Sequence, residues 1–144
     1  MTAPDAGLVA AYAAARYEVS GEFPSVLLIS DSPGIHDEWL AKNQSDSAVV
    51  ITAWNPFSHQ LSPAKNEAAN RHLESAIRGR SLGWALASAA DPTGRWREAS
   101  FCVFDVPDSL VDEWLIRYQQ NAVIRVRKGG RPTLVWHVRF NAVG

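Results

Sequence analysis

Runs of apolar and β-branched residues that end at turn signals predict five strands in the second part of the chain. Such runs, bounded by Gly, Pro, Asn or Asp, are typical of strands. The segment Asp91–Gly94 and the pair Gly129-Gly130 have the chemistry of hairpin turns, so we expect two hairpins. The predicted strands are Ala48–Trp54, Trp84–Ala90, Arg97–Val106, Ala122–Lys128 and Pro132–Val138.

Two longer segments have apolar positions three or four residues apart, which is the spacing of one helix face. The first begins at Ser62-Pro63, where Ser is a favoured N-cap and Pro a favoured first residue, and it ends near Arg78. Gly79 is its expected C-cap. Asp108-Ser109 should cap the second helix. The buried stripe of that helix is predicted to be Leu110, Val111, Trp114, Leu115 and Tyr118.

From Ala48 onward the order is strand, helix, strand, strand, helix, strand. This βαββαβ order predicts an α+β, ferredoxin-like fold, in which an antiparallel sheet carries its helices on one face. The Pro132–Val138 segment would add an extra C-terminal strand. We expect residues 1–144 to form a single domain, with an N-terminal extension, 1–47, packed on the 48–138 core.

The N-terminal extension is predicted to supply a helix and one or two strands. Leu8, Tyr12 and Ala15 share one face at helical spacing, which indicates an amphipathic first helix. Extended segments should follow at 17–19 and 25–30, and a short helix at 35–42. A second interpretation stays open, in which Ser25–Trp54 forms a parallel βαβ unit, although its helix is short for that connection.

Composition and charge exclude several classes of protein. With 47% hydrophobic residues the chain is too apolar to be mainly disordered, and a net charge of −1 excludes binding of nucleic acid through bulk positive charge. Its single cysteine, Cys102, excludes an internal disulfide. The apolar run Ala6–Ala15 follows Asp5 with no Lys or Arg before it, which is unlike an export signal. We therefore expect a cytoplasmic protein with no membrane segment.

Two amides on the core stripe of the first long helix suggest a polar site. Asn66 and Asn70 lie on the same stripe as Leu73 and Ile77 and must find partners. The nearest partners lie in the loop after the Ala48–Trp54 strand. We predict a polar cleft between this loop and the helix N-terminus, formed by Thr52, Trp54, Asn55, Ser58, Asn66 and Asn70. The alternative is that the amides only brace an irregular loop.

Polar groups elsewhere could border this cleft. Arg95, Trp96 and Glu98 lie at a hairpin tip, and Gln120-Asn121 lie between the second helix and the next strand. The alternatives are a solvated tip and side chains that cap helix carbonyls. Glu98 and His59 are the only candidates for a general acid or base. The four histidines show no metal-ligand spacing and no phosphate-binding or dinucleotide motif occurs, so we expect no metal and no cofactor.

The last hairpin is basic. Arg125, Arg127, Lys128 and Arg131 occur there without an acidic residue, so nucleic acid is an improbable partner that stays open. An RNA-binding sheet would also need stacking aromatics on its third strand, and Ala99 stands at one of those positions. The simpler interpretation is a solvated, charged sheet edge.

Several segments resemble the bacterial family known as domain of unknown function thirty-two ninety-three, over nearly the whole chain. The spacing of Leu8, Tyr12, Tyr17 and Val19 is also similar. The resemblance implies no activity. The segments that carry it are Thr52–Pro56, Asn66-Glu67 with Asn70, Gly94–Trp96 with Glu98, and Gln120–Ala122.

The sequence thus leads to three hypotheses of different classes. The first is binding of a small polar or anionic ligand in the cleft near the Thr52–Pro56 loop. The second is an enzyme that acts on a nucleotide-like or phosphorylated small molecule, with Glu98 or His59 as acid or base. The third is an interaction module that uses the basic hairpin and an open sheet face. Whether the protein is an enzyme, and its oligomeric state, stay open.

Overall fold

A computed structural model describes residues 3–140 and shows a mixed α+β architecture. One antiparallel sheet contains seven strands in the order β2-β1-β4-β5-β3-β6-β7. The strands are β1 (Arg16–Val19), β2 (Ser25–Leu27), β3 (Ser47–Ile51), β4 (Trp84–Ala90), β5 (Arg97–Phe104), β6 (Ala122–Arg127) and β7 (Thr133–Trp136). The α-helices of the described residues are α1 (Ala6–Ala14), α2 (Asp37–Lys42), α3 (Pro63–Arg78) and α4 (Asp108–Arg117).

The N-cap predicted from the sequence is found in α3 but not in α4. Ser62 caps α3, and its hydroxyl accepts a hydrogen bond from the Lys65 amide at 3.3 Å. Helix α4 instead has Pro107 at its N-cap, with no side-chain cap bond, so the expected Asp108-Ser109 cap is wrong. The Asp108 carboxylate pairs with arginines of β6, which removes it from the capping role.

Helices α3 and α4 pack on the same face of the sheet. Leu73 and Ile77 of α3 and the predicted stripe of α4 are buried against residues such as Val49 and Val103. Alternation sends the neighbouring side chains of the central strands β3 and β5 to the opposite face. The sheet therefore carries an apolar core on each side.

The N-terminal segment covers that opposite face. Strands β1 and β2 extend the sheet beside β4, and Trp39 and Leu40 of α2 are buried with Val50 and Phe104. The Trp39 indole donates to the Phe23 carbonyl at 2.8 Å. Within the described residues, both sheet faces are covered along β3 and along Ser100–Phe104 of β5, whereas Arg97 and Ala99 at the start of β5 are exposed.

The parallel βαβ interpretation of Ser25–Trp54 is wrong. Strand β2 lies at one edge of the sheet, and β1, β4 and β5 separate it from β3. Neighbouring strands pair antiparallel throughout the described part of the sheet. Helix α2 has six residues, which is less than two turns, and it packs on the sheet through Trp39 and Leu40.

Helix α1 is apolar all round rather than amphipathic. Asp5 caps it, because its carboxylate accepts a hydrogen bond from the Leu8 amide at 2.8 Å. Leu8 and Tyr12 face inward and are half-buried, but no residue of the helix is fully buried. Ala15, which follows the helix, is buried. This helix is therefore held loosely over the sheet.

Candidate functional site

A cavity of about 370 Å³ lies between α1, the sheet face opposite α3 and α4, and the loop after β3. Its volume is within the usual range for small-molecule sites. Seven of the eleven residues predicted to bind a ligand line it, while binding itself stays a prediction. These seven are Thr52, Trp54, Asn55, Ser58, Trp96, Glu98 and Gln120.

Glu98 is the buried acid of this cavity. Its position in β5, opposite Ala89 of β4, directs the side chain to the cavity face, where it is 8% exposed. Burial raises the pKa of Glu98 to about 8, and the nearby Asn55 amide lowers it in part. No Lys, Arg or His of the described residues lies within ion-pair distance of this carboxylate. The cavity therefore holds a carboxyl group that lacks a cation.

Asn66 and Asn70 point inward, as expected, but brace the loop and do not line the cavity. Asn66 Oδ1 accepts from the Asn55 amide at 2.9 Å, and its Nδ2 donates to Asn55 Oδ1 at 2.8 Å. Asn70 Oδ1 accepts from the Ala53 amide at 2.8 Å, and its Nδ2 donates to the Ala99 carbonyl at 2.9 Å. The two amides fix the backbone that carries the cavity residues.

The loop that they brace has an unusual backbone. Asn55, Phe57 and Ser58 have φ angles of 47°, 49° and 64°, in the left-handed region that non-glycine residues rarely occupy. Such strain persists only where neighbouring contacts hold it. Arg139 provides one such contact, because its guanidinium stacks 3.6 Å from the centre of the Phe57 ring.

Gln120 and Asn121 tie the same loop to the end of α4. Gln120 is buried, lines the cavity, and donates to the Trp54 carbonyl at 3.3 Å. Asn121 lies outside the cavity lining, donates to Ser58 Oγ at 3.0 Å and accepts from Arg139 at 2.6 Å. Gln120 Nε2 also donates to the carbonyl of Tyr118, the C-cap residue of α4, at 3.0 Å. The Gln120 side chain therefore caps the end of α4 and contacts the loop, whereas the Asn121 side chain contacts Ser58 and Arg139.

Two tyrosines of the N-terminal segment complete the cavity, and the sequence did not point to them as site residues. Tyr12 of α1 and Tyr17 of β1 both line it. Burial raises the pKa of Tyr12 to about 12, and the Glu98 charge adds to this effect. The Tyr17 hydroxyl donates to the Tyr12 carbonyl at 3.0 Å. The sequence pattern that could have indicated Tyr12 is the helical spacing of Leu8, Tyr12 and Ala15, because this stripe faces the cavity.

Some candidate residues lie at the rim of the cavity or away from it. Arg95 and His59 are exposed and do not line it. Trp96 lines it at the rim and is 42% exposed. The N-terminus of α3, which was expected to face the ligand, contributes no residue to the lining.

The basic hairpin is partly neutralised. Arg125 and Arg127 both contact Asp108 Oδ1, at 3.0 and 2.7 Å. Hydrogen bonding to Arg127 lowers the pKa of Asp108 below its ordinary value. Two of the four basic residues therefore form ion pairs that link β6 to α4, while Lys128 and Arg131 are exposed.

The described lining contains carboxyl groups and no basic side chain. Among the described lining residues, Asp91 and Glu98 are the only carboxylic acids, and no Lys, Arg or His belongs to the lining. Across residues 3–140, no three His, Cys, Asp or Glu side chains converge as a metal site would require. Nor does any helix in that range have the length and hydropathy to span a membrane.

Comparison with known proteins yields one family. A family model described as "Protein of unknown function (DUF3293)" matches residues 51–123, just over half of the chain. The matched region includes the braced loop, α3, the β4–β5 hairpin and Gln120. No curated protein and no solved structure matches the chain. The resemblance seen in the sequence is confirmed, and the chain belongs to the DUF3293 family.

Proposed function

We propose that this protein binds a small molecule with an apolar or aromatic body in the cavity between α1, the sheet and the Thr52–Ser58 loop. The observation that supports this most is the cavity itself, about 370 Å³ and lined by aromatic rings with a few polar groups. Mostly apolar cavities with a small number of convergent polar groups are typical ligand sites.

The charge of the lining favours a neutral or cationic ligand over an anionic one. Ionised Asp91 would repel an anion, an anion would oppose ionisation of Glu98, and no basic side chain of the described lining would compensate. The positive end of the α3 dipole, the group that made an anion attractive, lies outside the cavity lining. Of the two ligand types predicted from the sequence, polar and anionic, the proposal therefore keeps the polar one. It favours a ligand that carries no negative charge.

A titration with indole, followed by protein-observed NMR, tests this proposal. We expect shift changes confined to cavity residues such as Thr52, Ala89 and Gln120. A bulky side chain at Ala11, which lines the cavity rim, should abolish them. Ala11→Trp and its control Ala10→Trp make this comparison, because Ala10 is exposed on the same helix and lies outside the lining. Diffuse or absent shifts in the wild type would refute the proposal.

Catalysis is the second candidate function, and Glu98 is the observation that favours it. A carboxyl group with a pKa near 8 exchanges protons readily at neutral pH, which is a property of general acids and bases. The lining charge favours a substrate without phosphate groups. Turnover would have to disappear in Glu98→Gln while indole binding persists. His59 is exposed and does not line the cavity, so it does not share this role, and His59→Ala should leave turnover unchanged.

Two finer interpretations of the fold and location accompany this proposal. The order β4-β5-β3-β6, with α3 and α4 on one face, supports a ferredoxin-like core. A cytoplasmic location in bacteria is consistent with the one free cysteine, Cys102, which burial keeps unreactive by raising its pKa. A solved structure and fractionation of cells that express the chain would test these two points.

A further inference from the structure

We infer that the ligand carries a protonated amine, which forms an ion pair with Glu98 while its aromatic or apolar body packs among the rings of the cavity. This inference rests on the proposed function and names the chemical class of the ligand. A buried carboxyl group is costly unless a partner of opposite charge or several hydrogen bonds compensate it. In this chain neither source of compensation is complete.

Glu98 is 8% exposed as a residue and belongs to the cavity lining. The Asn55 amide is the only described side chain that favours its ionised form by hydrogen bonding. Asn55 Oδ1 already accepts from Asn66 and from the Leu61 amide, so the bracing contacts fix the orientation of its amide group. The free space beside Glu98 is therefore suited to a donor from outside the chain.

Aromatic rings surround that space. Tyr12, Tyr17, Trp54 and Trp96 all belong to the lining and come from four different segments of the chain. The faces of aromatic rings attract cations, and an apolar body gains from burial against them. A carboxylate together with aromatic rings is a chemical combination that selects ammonium groups rather than hydroxyls or carboxylates.

Binding of a cation should release a proton from Glu98 at neutral pH. Burial keeps the free carboxyl group largely protonated there, because its pKa is about 8. The other ionisable groups near the cavity do not titrate in this range, since the pKa of Tyr12 is about 12, that of Tyr17 is also raised, and that of Asp91 is lowered. Arg139, whose charge acts on Tyr12, stays protonated.

Three indole compounds that differ in side-chain charge provide the test: tryptamine is cationic, tryptophol neutral and indoleacetate anionic. Calorimetric titration of the wild type at neutral pH should give a Kd for tryptamine at least about tenfold below that for tryptophol. Indoleacetate should bind more weakly than either. Between pH 6 and 8 the Kd for tryptamine should fall by roughly tenfold per unit, with proton release visible as a buffer-dependent heat.

Glu98→Gln should abolish the preference for tryptamine and its pH dependence but retain tryptophol binding. Glu22→Gln makes the same substitution at an exposed position outside the cavity lining and should change neither. Equal affinities for tryptamine and tryptophol in the wild type, or a preference that survives in Glu98→Gln, would overturn the inference and leave the proposed function intact. If neither these compounds nor indole binds, both proposals fail.

Discussion

Asn66 and Asn55 bind each other twice, once through the Asn55 backbone amide at 2.9 Å and once between their side chains at 2.8 Å. Asn66 lies in the second turn of α3 and is 1% exposed, whereas Asn55 begins the strained loop that lines the cavity. The pair therefore couples a buried helix position to the geometry of the candidate site.

Removal of the Asn66 amide should destabilise the protein. Asn66→Ala leaves the Asn55 backbone amide without its partner, whereas Asn55 Oδ1 loses one of its two donors and keeps the Leu61 amide. A buried polar group that is left unsatisfied costs about 1–3 kcal/mol. Urea unfolding of this variant should show that loss, together with weaker indole binding. Lys65→Ala, at an exposed position of the same helix, is the control and should stay within about 0.5 kcal/mol of the wild type. A wild-type stability for Asn66→Ala would contradict the bracing role.

The stability of the free protein should fall as the pH rises from about 4.5 to about 8. Burial raises the pKa of Glu98 from 4.5 to about 8. Between these two pH values the unfolded chain has lost the Glu98 proton and the folded chain still holds it, so a rise in pH stabilises the unfolded state relative to the folded state. The slope from this group is at most about 1.4 kcal/mol per pH unit. Urea unfolding at several pH values measures it. In Glu98→Gln this component should vanish, and the variant should exceed the wild type in stability at pH 8; an unchanged profile would contradict the burial of an uncompensated carboxyl group.

Helix α1 should open more readily than the rest of the fold. None of its residues is fully buried, and its N-terminal cap is the single hydrogen bond from the Leu8 amide to Asp5. Amides of α1 should therefore exchange with deuterium much faster than those of α3, and tryptamine should slow the exchange. Asp5→Ala should accelerate it, because loss of a cap costs about 1 kcal/mol. Equal protection of α1 and α3 in the free protein would show that α1 is an integral part of the core.

The basic hairpin should not bind nucleic acid strongly. Arg125 and Arg127 pair with Asp108 at the exposed edge of the molecule, where each such pair contributes at most about 1 kcal/mol of stability. Fluorescence anisotropy with a labelled single-stranded oligonucleotide at low salt should show no specific complex. Asp108→Asn releases both arginines and should increase any weak retention. Salt-dependent binding by the wild type that Arg125→Ala abolishes would restore the nucleic-acid hypothesis.

The order of helices and strands could be predicted because it depends on local patterns. The Ser62-Pro63 start of α3 and the apolar runs of β3 and β5 each occur within a few residues. The inward position of Asn66 could also be predicted, since periodicity places it on the same stripe as Leu73. The prediction that the first helix is amphipathic was wrong, because its exposed positions, such as Val9 and Ala10, are apolar like those that face the cavity.

The cavity itself could not be predicted, because it depends on contacts between distant parts of the chain. Tyr12 and Glu98 are 86 residues apart, and only the position of β1 beside β4 brings their segments together. No local pattern distinguishes Glu98 from the exposed Arg95 and Trp96 of the same hairpin. Asp108 illustrates the same limit, since its pairing with Arg127 of β6 replaces the cap that its position suggested.

The titration of the Glu98 carboxyl carbon, followed by carbon NMR with and without tryptamine, tests the central claim most directly. The account predicts that this group titrates near pH 8 in the free protein and moves toward its ordinary value when tryptamine, but not tryptophol, is bound. A Glu98 carboxyl group that titrates near 4.5 in the free protein, or that keeps the same midpoint with saturating tryptamine, would contradict it.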